Sequence, residues 1–403
     1  MGPRGNFGRL LWSNGISGFG TQITIVALPL TAVATLHASP FQLGLLSAVQ
    51  TAAFLLIGLP AGVWVDRLRR RPILVRADLV RGVALLTVPA AAWLGVLTLP
   101  HLYAVAFVLG VGTVFADVAH MSFVPAVVPE ERLERANGRL EVTRQVSVLA
   151  GPGVGGWLVS TLTAPVALLA DAAGYLVSAR LLSGVRVAER PRPPEGRRLW
   201  AEVRAGLAFV LGEPVLSRVA LGGALTRIAL GICAVGYPLY LFVGLEVGAT
   251  VYGLLLSASA VGALAGAAVV ARVTLRYGVG TTLYGSAVLV VALQLPAVAT
   301  GPGWRLLIFP VSSALAAAAG VVFNVAQLSY RQRITPEHLL GRVNASMRFL
   351  MWGTTPVGGL AGGLLGEWLG GYGVFAAGVA LLGLSYLAIV TAPSIRRAGA
   401  AAR

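Results

Sequence analysis

Charged side chains stand inside long apolar runs of this 403-residue chain. Asp171, Asp117 and Arg227 lie well within such runs, while Asp78 and Arg81, Glu141 and Arg144, and Arg348 lie nearer their starts. In hydrocarbon each is costly, so such residues mark ion pairs, ion pathways or ligand sites. A lone carboxylate there can take up and release a proton, and a lone guanidinium can hold an anion. Asp171 and Arg227 are the deepest and are the candidates for those two tasks. Asp117, toward the other end of its run, is the second candidate carboxylate. The charges nearer the run starts read as structural pairs closing an inner gate. Gln22 and Thr21, and Asn324 and Gln327, are neutral polar residues that line a cavity or bond neighbouring helices. The four histidines and the single Cys233 offer neither metal-ligand spacing nor a disulfide framework, so no metal or cofactor is expected.

The elements that must position these groups are membrane helices. Hydrophobic residues make up 57% of the chain, charged residues 11%, and mean hydropathy is +0.81. A soluble domain carries about 25% charged residues. A spanning helix needs about 20 apolar residues, which places about twelve: 8–35, 41–65, 73–97, 101–124, 139–160, 164–186, 215–243, 251–274, 280–300, 304–328, 342–366 and 371–392. The alternation of a membrane barrel is missing. Arginine supplies every basic side chain. With Ala, Gly and Val abundant, that points to a GC-rich bacterial genome and so to a bacterial inner membrane. Arginines gather at the start of the chain, after the second, fourth, sixth and tenth spans, and at its end. The loops between hold one, Arg305. By the positive-inside rule both termini face the cytoplasm. The net charge of +16 is then a matter of topology, and no nucleic-acid partner is expected.

The chain is built twice. PEERLERANGRLEVTRQVSVLAGPGVGG, opening at Pro129, aligns with PEHLLGRVNASMRFLMWGTTPVGGLAGG, opening at Pro336, at an offset of 207. Arg135/Arg342, Asn137/Asn344, Gly151/Gly358, Gly155/Gly362 and Gly156/Gly363 are identical pairs. Duplication in a very apolar chain suggests a transporter that rocks one half against the other. The expected division is 1–186 and 215–403 as six-helix bundles, joined by 187–214. That joint opens with PRPPEG, a linker by its prolines. Leu199, Trp200, Val203, Leu207, Val210 and Leu211 then share one face of an amphipathic helix, expected on the inner leaflet.

Twelve spans in two halves with a basic loop after the second resemble the major facilitator superfamily. The loop GVWVDRLRRRP resembles its signature between spans two and three, matched at Gly62, Asp66, Arg67, Arg70 and Arg71, with Arg69 where a glycine is usual. The resemblance implies that Asp66 holds an inner gate by facing the start of the eleventh helix, with Arg342 and Arg348 as candidate partners. In the second half the equivalent loop has Arg272 in place of an acid. GPGVGG in span five resembles the superfamily's antiporter signature at Gly151, Pro152, Gly155 and Gly156. It also fits G-x-G-x-x-G, but no strand precedes it. ISGFGTQITIVALPL, RPILVRADLVRG, FVPAVVPEERLERANG and LLADAAGYLVSA are similar to the enterobactin-exporter and macrolide-efflux branch.

The implied fold is all-α, about twelve transmembrane helices in two pseudo-symmetric bundles. The implied activity is secondary active, proton-gradient-driven efflux of small amphipathic molecules by alternating access, in a monomer within the lipid bilayer. Without lysine there is no Walker A motif and no nucleotide motor, and no catalytic cluster suggests an enzyme. The alternative is a non-transporting sensor or scaffold that keeps the fold.

Overall fold

The computed structural model describes residues 3–129, 132–187, 189 and 199–391. The side chains of some residues within these ranges, Gly62, Asp66 and Arg67 among them, are outside the described set. So are the linker PRPPEG and the arginines of the tail.

The described residues are helical almost throughout. The first half contains α1 (Pro3–Leu30), α2 (Pro40–Arg67), α3 (Arg70–Trp93), α4 (Leu99–Val127), α5 (Leu133–Thr161) and α6 (Ala164–Ser183). The second contains α7 (Leu199–Gly212), α8 (Pro214–Gly236), α9 (Ala249–Tyr277), α10 (Val279–Gln294), α11 (Ile308–Ile334), α12 (Glu337–Trp352), α13 (Thr355–Leu384) and the short α14 (Leu387–Val390). Among the described residues nine helical stretches are long and apolar enough to cross a membrane. Two further long helices, α3 and α5, are not among the nine; their sequences carry several arginines and acids. One of the nine, Arg342–Val390, turns back at Gly370, whose φ of 68° is open to glycine without strain.

Two departures from the expected spans stand out. The run 342–366 is not one helix, because α12 stops at Trp352 and α13 begins at Thr355. The linker helix α7 packs on α12, with Gly206 against Ser346 and the Arg342 backbone. Val210 of its apolar face is fully buried, whereas Leu211 is exposed.

Contacts divide the chain into two compact units, Met1–Glu195 with Val247–Ser257, and Gly196–Glu246 with Ala258–Arg403. The duplication is visible inside each. In the first unit α1 lies against α5 and α6; in the second α8 lies against α13. Gly155 of α5 meets Ile23 and Val26, and Gly362 of α13 meets Ile232 and Val235. Both α1 and α8 loosen into a π-helical end near a proline, Pro29 and Pro238. In the loops that follow, His37 and Glu246 take matching positive φ of 51° and 52°. These mates, Ile23/Ile232, Pro29/Pro238 and His37/Glu246, lie 209 positions apart. The glycine pair lies 207 apart, so the second copy is two residues shorter between its first and fifth helices.

Candidate functional site

The first unit buries a chain of polar side chains where α1, α3 and α6 meet. Asp171, on the second turn of α6, is fully buried. Thr24 of α1 donates to its Oδ2 at 2.5 Å. Its Oδ1 has no hydrogen-bond partner among the described residues and is aimed at Gly20, the side where a Cβ would collide with it. One turn on, Tyr175 shares a 2.8 Å hydrogen bond with Thr21 and accepts from Arg81 Nη1 at 3.3 Å. The Arg81 guanidinium lies 4.2 Å from the Tyr175 ring centre.

Arg81 also pairs with Asp78 one turn before it, and Ser178 donates to Asp78 Oδ2 at 2.5 Å. Ser13 of α1 closes the set by bonding Ser178 at 2.9 Å. Asp78 is 4% and Arg81 6% exposed. Desolvating two such ions costs several kcal/mol each, and the attraction offsets this only when the remaining donors and acceptors are engaged. Here they are. Gly112 of α4 leaves room for the Arg81 stem, which any side chain there would strike. Asp78 and Arg81, expected as a structural pair, form a buried one inside the unit. Glu141 and Arg144 pair at 2.6 Å but are more than half exposed, and such pairs contribute little.

The other expected residues are spread more widely. Asp117 is half-buried on α4. The antiporter-like glycines form close helix crossings: Gly151 lies on Gln22 and Phe19, Gly155 on Ile23, and Gly156 on Ala249 and Thr250 of the Val247–Ser257 segment. The helix continues through Pro152 without interruption. Beside this crossing an apolar groove of about 550 Å³ runs between α1, α5 and α6, lined by Trp12, Ile16, Phe19, Ile23, Val154 and Leu158, with Thr143 and Ser147 among its few polar groups. Gly20 and Gly174 form its wall near Asp171.

At the end of the basic loop, Arg71 is held by α6, where its guanidinium donates to the carbonyls of Leu182 (3.2 Å) and Ser183. Glu189 accepts from the backbone N–H groups of Arg70 and Arg71, the latter at 3.0 Å, and so caps α3 with a carboxylate. Arg9 donates to Gly184, and Asn6 brackets Arg186 through two hydrogen bonds of 2.8 and 3.2 Å. The role of Glu189 was missed in the sequence, because an acid in a charged, proline-rich stretch reads as a solvated linker residue. Thr24, Tyr175 and Ser178 were missed as single neutral residues on apolar helices. The spacing Asp171-x-x-x-Tyr175-x-x-Ser178, one helix face, was the available signal.

In the second unit Gln327 donates to Asn324 at 3.0 Å, and Asn324 is exposed. Arg342 and Arg348 lie half-buried on α12. Arg227 of α8 stacks on Trp352.

Helices of this number and length, duplicated and carrying isolated charges, have a counterpart among known sequences. The Major Facilitator Superfamily model matches residues 10–243. The chain belongs to the major facilitator superfamily. It is 27% identical over 390 residues to the multidrug efflux pump Tap of Mycolicibacterium fortuitum, covering 93% of this chain and 92% of that protein. It is 26% identical over 408 residues to Tap of Mycobacterium tuberculosis (strain ATCC 25618 / H37Rv), covering 96% and 93%. Two solved structures share the fold: the nucleoside transporter NupG (TM-score 0.74, 10% identity, 98% of this chain and 99% of that one) and a bacterial homologue of the iron transporter ferroportin in an inward-facing state (0.67, 16%, 96% and 98%). The protein is thus a multi-pass membrane transporter, not an enzyme.

Proposed function

We propose that this superfamily member is a proton-driven exporter of small amphipathic molecules. It works by alternating access in a bacterial inner membrane, as a monomer with both termini cytoplasmic. The observation that carries the reading is similarity over more than nine-tenths of the chain to multidrug efflux pumps. The Gly151–Gly156 crossings and the apolar groove support it, the latter offering a surface that suits hydrocarbon cargo.

Coupling is assigned to Asp171. A fully buried carboxyl with one donor and one idle oxygen gains from a proton in the closed site and loses it when water enters. Arg81 is already engaged by Asp78, which leaves Asp171 free to exchange its proton. Asp66, with Arg342 or Arg348, keeps its proposed role at the inner gate, and the bundles 1–186 and 215–403 are the bodies that rock about the 187–214 joint.

Everted membrane vesicles test this. Acidifying the lumen should drive ethidium accumulation, and a protonophore should collapse it. Accumulation that ignores the proton gradient would remove the coupling.

A further inference from the structure

The second unit holds a half-buried cation, Arg227, that forms no ion pair with an acid among the described residues. Arg227 lies midway along α8 and places its guanidinium 3.7 Å from the ring centre of Trp352. Trp352 is the last residue of α12, where the helix breaks. Thr354, just past the break, donates to the Ala224 carbonyl at 3.1 Å and fastens the break to α8. Arg348, one turn before Trp352, approaches the same ring at 5.9 Å. The interruption of the expected eleventh span therefore brings an indole face against Arg227.

Charge bookkeeping within the unit sharpens the point. From Pro214 to the end of the chain the sequence has three acids, Glu246, Glu337 and Glu367, the last exposed on α13 about 13 Å of helix beyond Gly358, which meets Ile228. Glu246 sits in the loop after α8, and Glu337 opens α12, about 22 Å of helix from Trp352. Glu213 spends its carboxylate on the backbone N–H groups of Val215 and Leu216. Among the described residues, the titratable groups acting on Arg227 are Tyr386 and Arg348, neither an anion at neutral pH. The Arg227 guanidinium carbon lies over the Trp352 ring and its N–H groups make no hydrogen bond among the described residues, so they remain available to a carboxylate, which a guanidinium can hold by two parallel hydrogen bonds. An isolated cation at this depth is costly, and an arriving oxyanion offsets that cost.

We propose that Arg227 and Trp352 form an oxyanion site that receives the carboxylate of an amphipathic molecule. This rests on the export reading and narrows its cargo. The same chemistry is carried by cargo and by anionic lipid, so the test separates them.

Full-length protein in phosphatidylcholine nanodiscs is titrated by calorimetry with laurate and with dodecyltrimethylammonium, which has the same chain and the opposite charge. No gradient is present, so failure here leaves proton-driven export standing. Arg227→Gln should weaken laurate about tenfold or more and leave the cation within about twofold. Arg227→Lys keeps the charge without the planar fork and should fall between, which keeps the series readable if the glutamine variant misfolds. Trp352→Leu should weaken laurate less than Arg227→Gln. Repeating the titration with phosphatidylglycerol discs places the oxyanion. A drop in wild-type laurate affinity that Arg227→Gln does not show supports a site shared with lipid phosphate, and unchanged affinity supports a cargo site. Equal laurate affinity in wild type, Arg227→Gln and Arg227→Lys overturns the proposal.

Discussion

At the crossing of α1 and α6, Asp171 lies against Gly20 and Thr24; at the matching crossing in the second unit, Gly378 lies against Cys233. The backbones meet alike, yet one copy buries a carboxyl and the other a sulfur. The contrast extends outward. α3 contains Arg70, Arg71, Arg76, Asp78 and Arg81, whereas α10 has no charged residue. Ser13 bonds Ser178 in one unit and Thr226 bonds Ser385 in the other, but only the first pair continues to an ion. Duplication thus preserves the small residues that let helices approach and releases the polar groups between them. One unit buries a carboxyl between its helices, and the other sets Arg227 against Trp352.

The largest effect expected from breaking this contrast is at Arg81. Arg81→Met removes one ion of the buried pair and strands Asp78, which costs about 3–5 kcal/mol. Detergent-solubilised protein should lose most of its monodisperse fraction. The same change at Arg227, which has no buried partner ion to strand, should leave thermal stability within about 1 kcal/mol. Equal losses at both positions would mean the two units do not differ in this way.

Asp171→Asn comes next, and its effect is on transport more than on stability. The amide retains the Thr24 hydrogen bond but cannot shed a proton. Gradient-driven ethidium accumulation should fall at least about tenfold while downhill exchange persists, a difference of roughly 1.4 kcal/mol or more in driving the cycle. Gly378→Ala in the second unit should leave the coupling of the remaining transport unchanged. Undiminished gradient-driven accumulation in Asp171→Asn would transfer coupling to Asp117 or elsewhere.

The glycine crossings test what the two units share. A Cβ on Gly155 would sit 3.0 Å from Ile23 Cα, and one on Gly362 would sit 2.8 Å from Ile232 Cα. Leucine at either must push backbones apart, at about 1–3 kcal/mol, and should slow transport similarly in both. Trp157→Leu and Val357→Leu, at exposed positions on the same helices, serve as controls. Tolerance of leucine at all four would show that close approach is not needed for rocking.

Much of the architecture is legible in the sequence because hydropathy and the 207-residue repeat are properties of long segments. Gly155 and Gly362 could be paired from the alignment, and both prove to sit at close crossings. What eluded reading was local. Gly353 and Thr354 interrupt an apolar run that composition alone would continue, since glycine and threonine are common within membrane helices. The mate of that site, Val146–Ser147, stays helical. Asp171 could be singled out as an isolated acid, but its partners come from α1, 147 residues away for Thr24. Arg81 and Asp78 were visible as a helical pair, yet only packing against α4 and α6 shows that the pair is buried.

The smallest expected effect concerns how the basic loop is anchored. Glu189 bridges the N–H groups of Arg70 and Arg71 at the first turn of α3, where a carboxylate meets both unsatisfied donors and the positive end of the helix dipole. Glu189→Gln keeps one acceptor and removes the charge, so it should cost about 0.5–1 kcal/mol, against about 1–2 kcal/mol for Glu189→Ala, which removes the cap. The second unit supplies the control. α10 begins after Gly278, whose φ of 76° turns the chain directly from α9, with no side-chain cap. Hydrogen exchange should therefore accelerate in the first turn of α3 in Glu189→Ala and stay unchanged in α10. If the α3 protection is identical in wild type and both variants, Arg71's grip on the Leu182 and Ser183 carbonyls alone holds the loop, and the carboxylate is incidental to it.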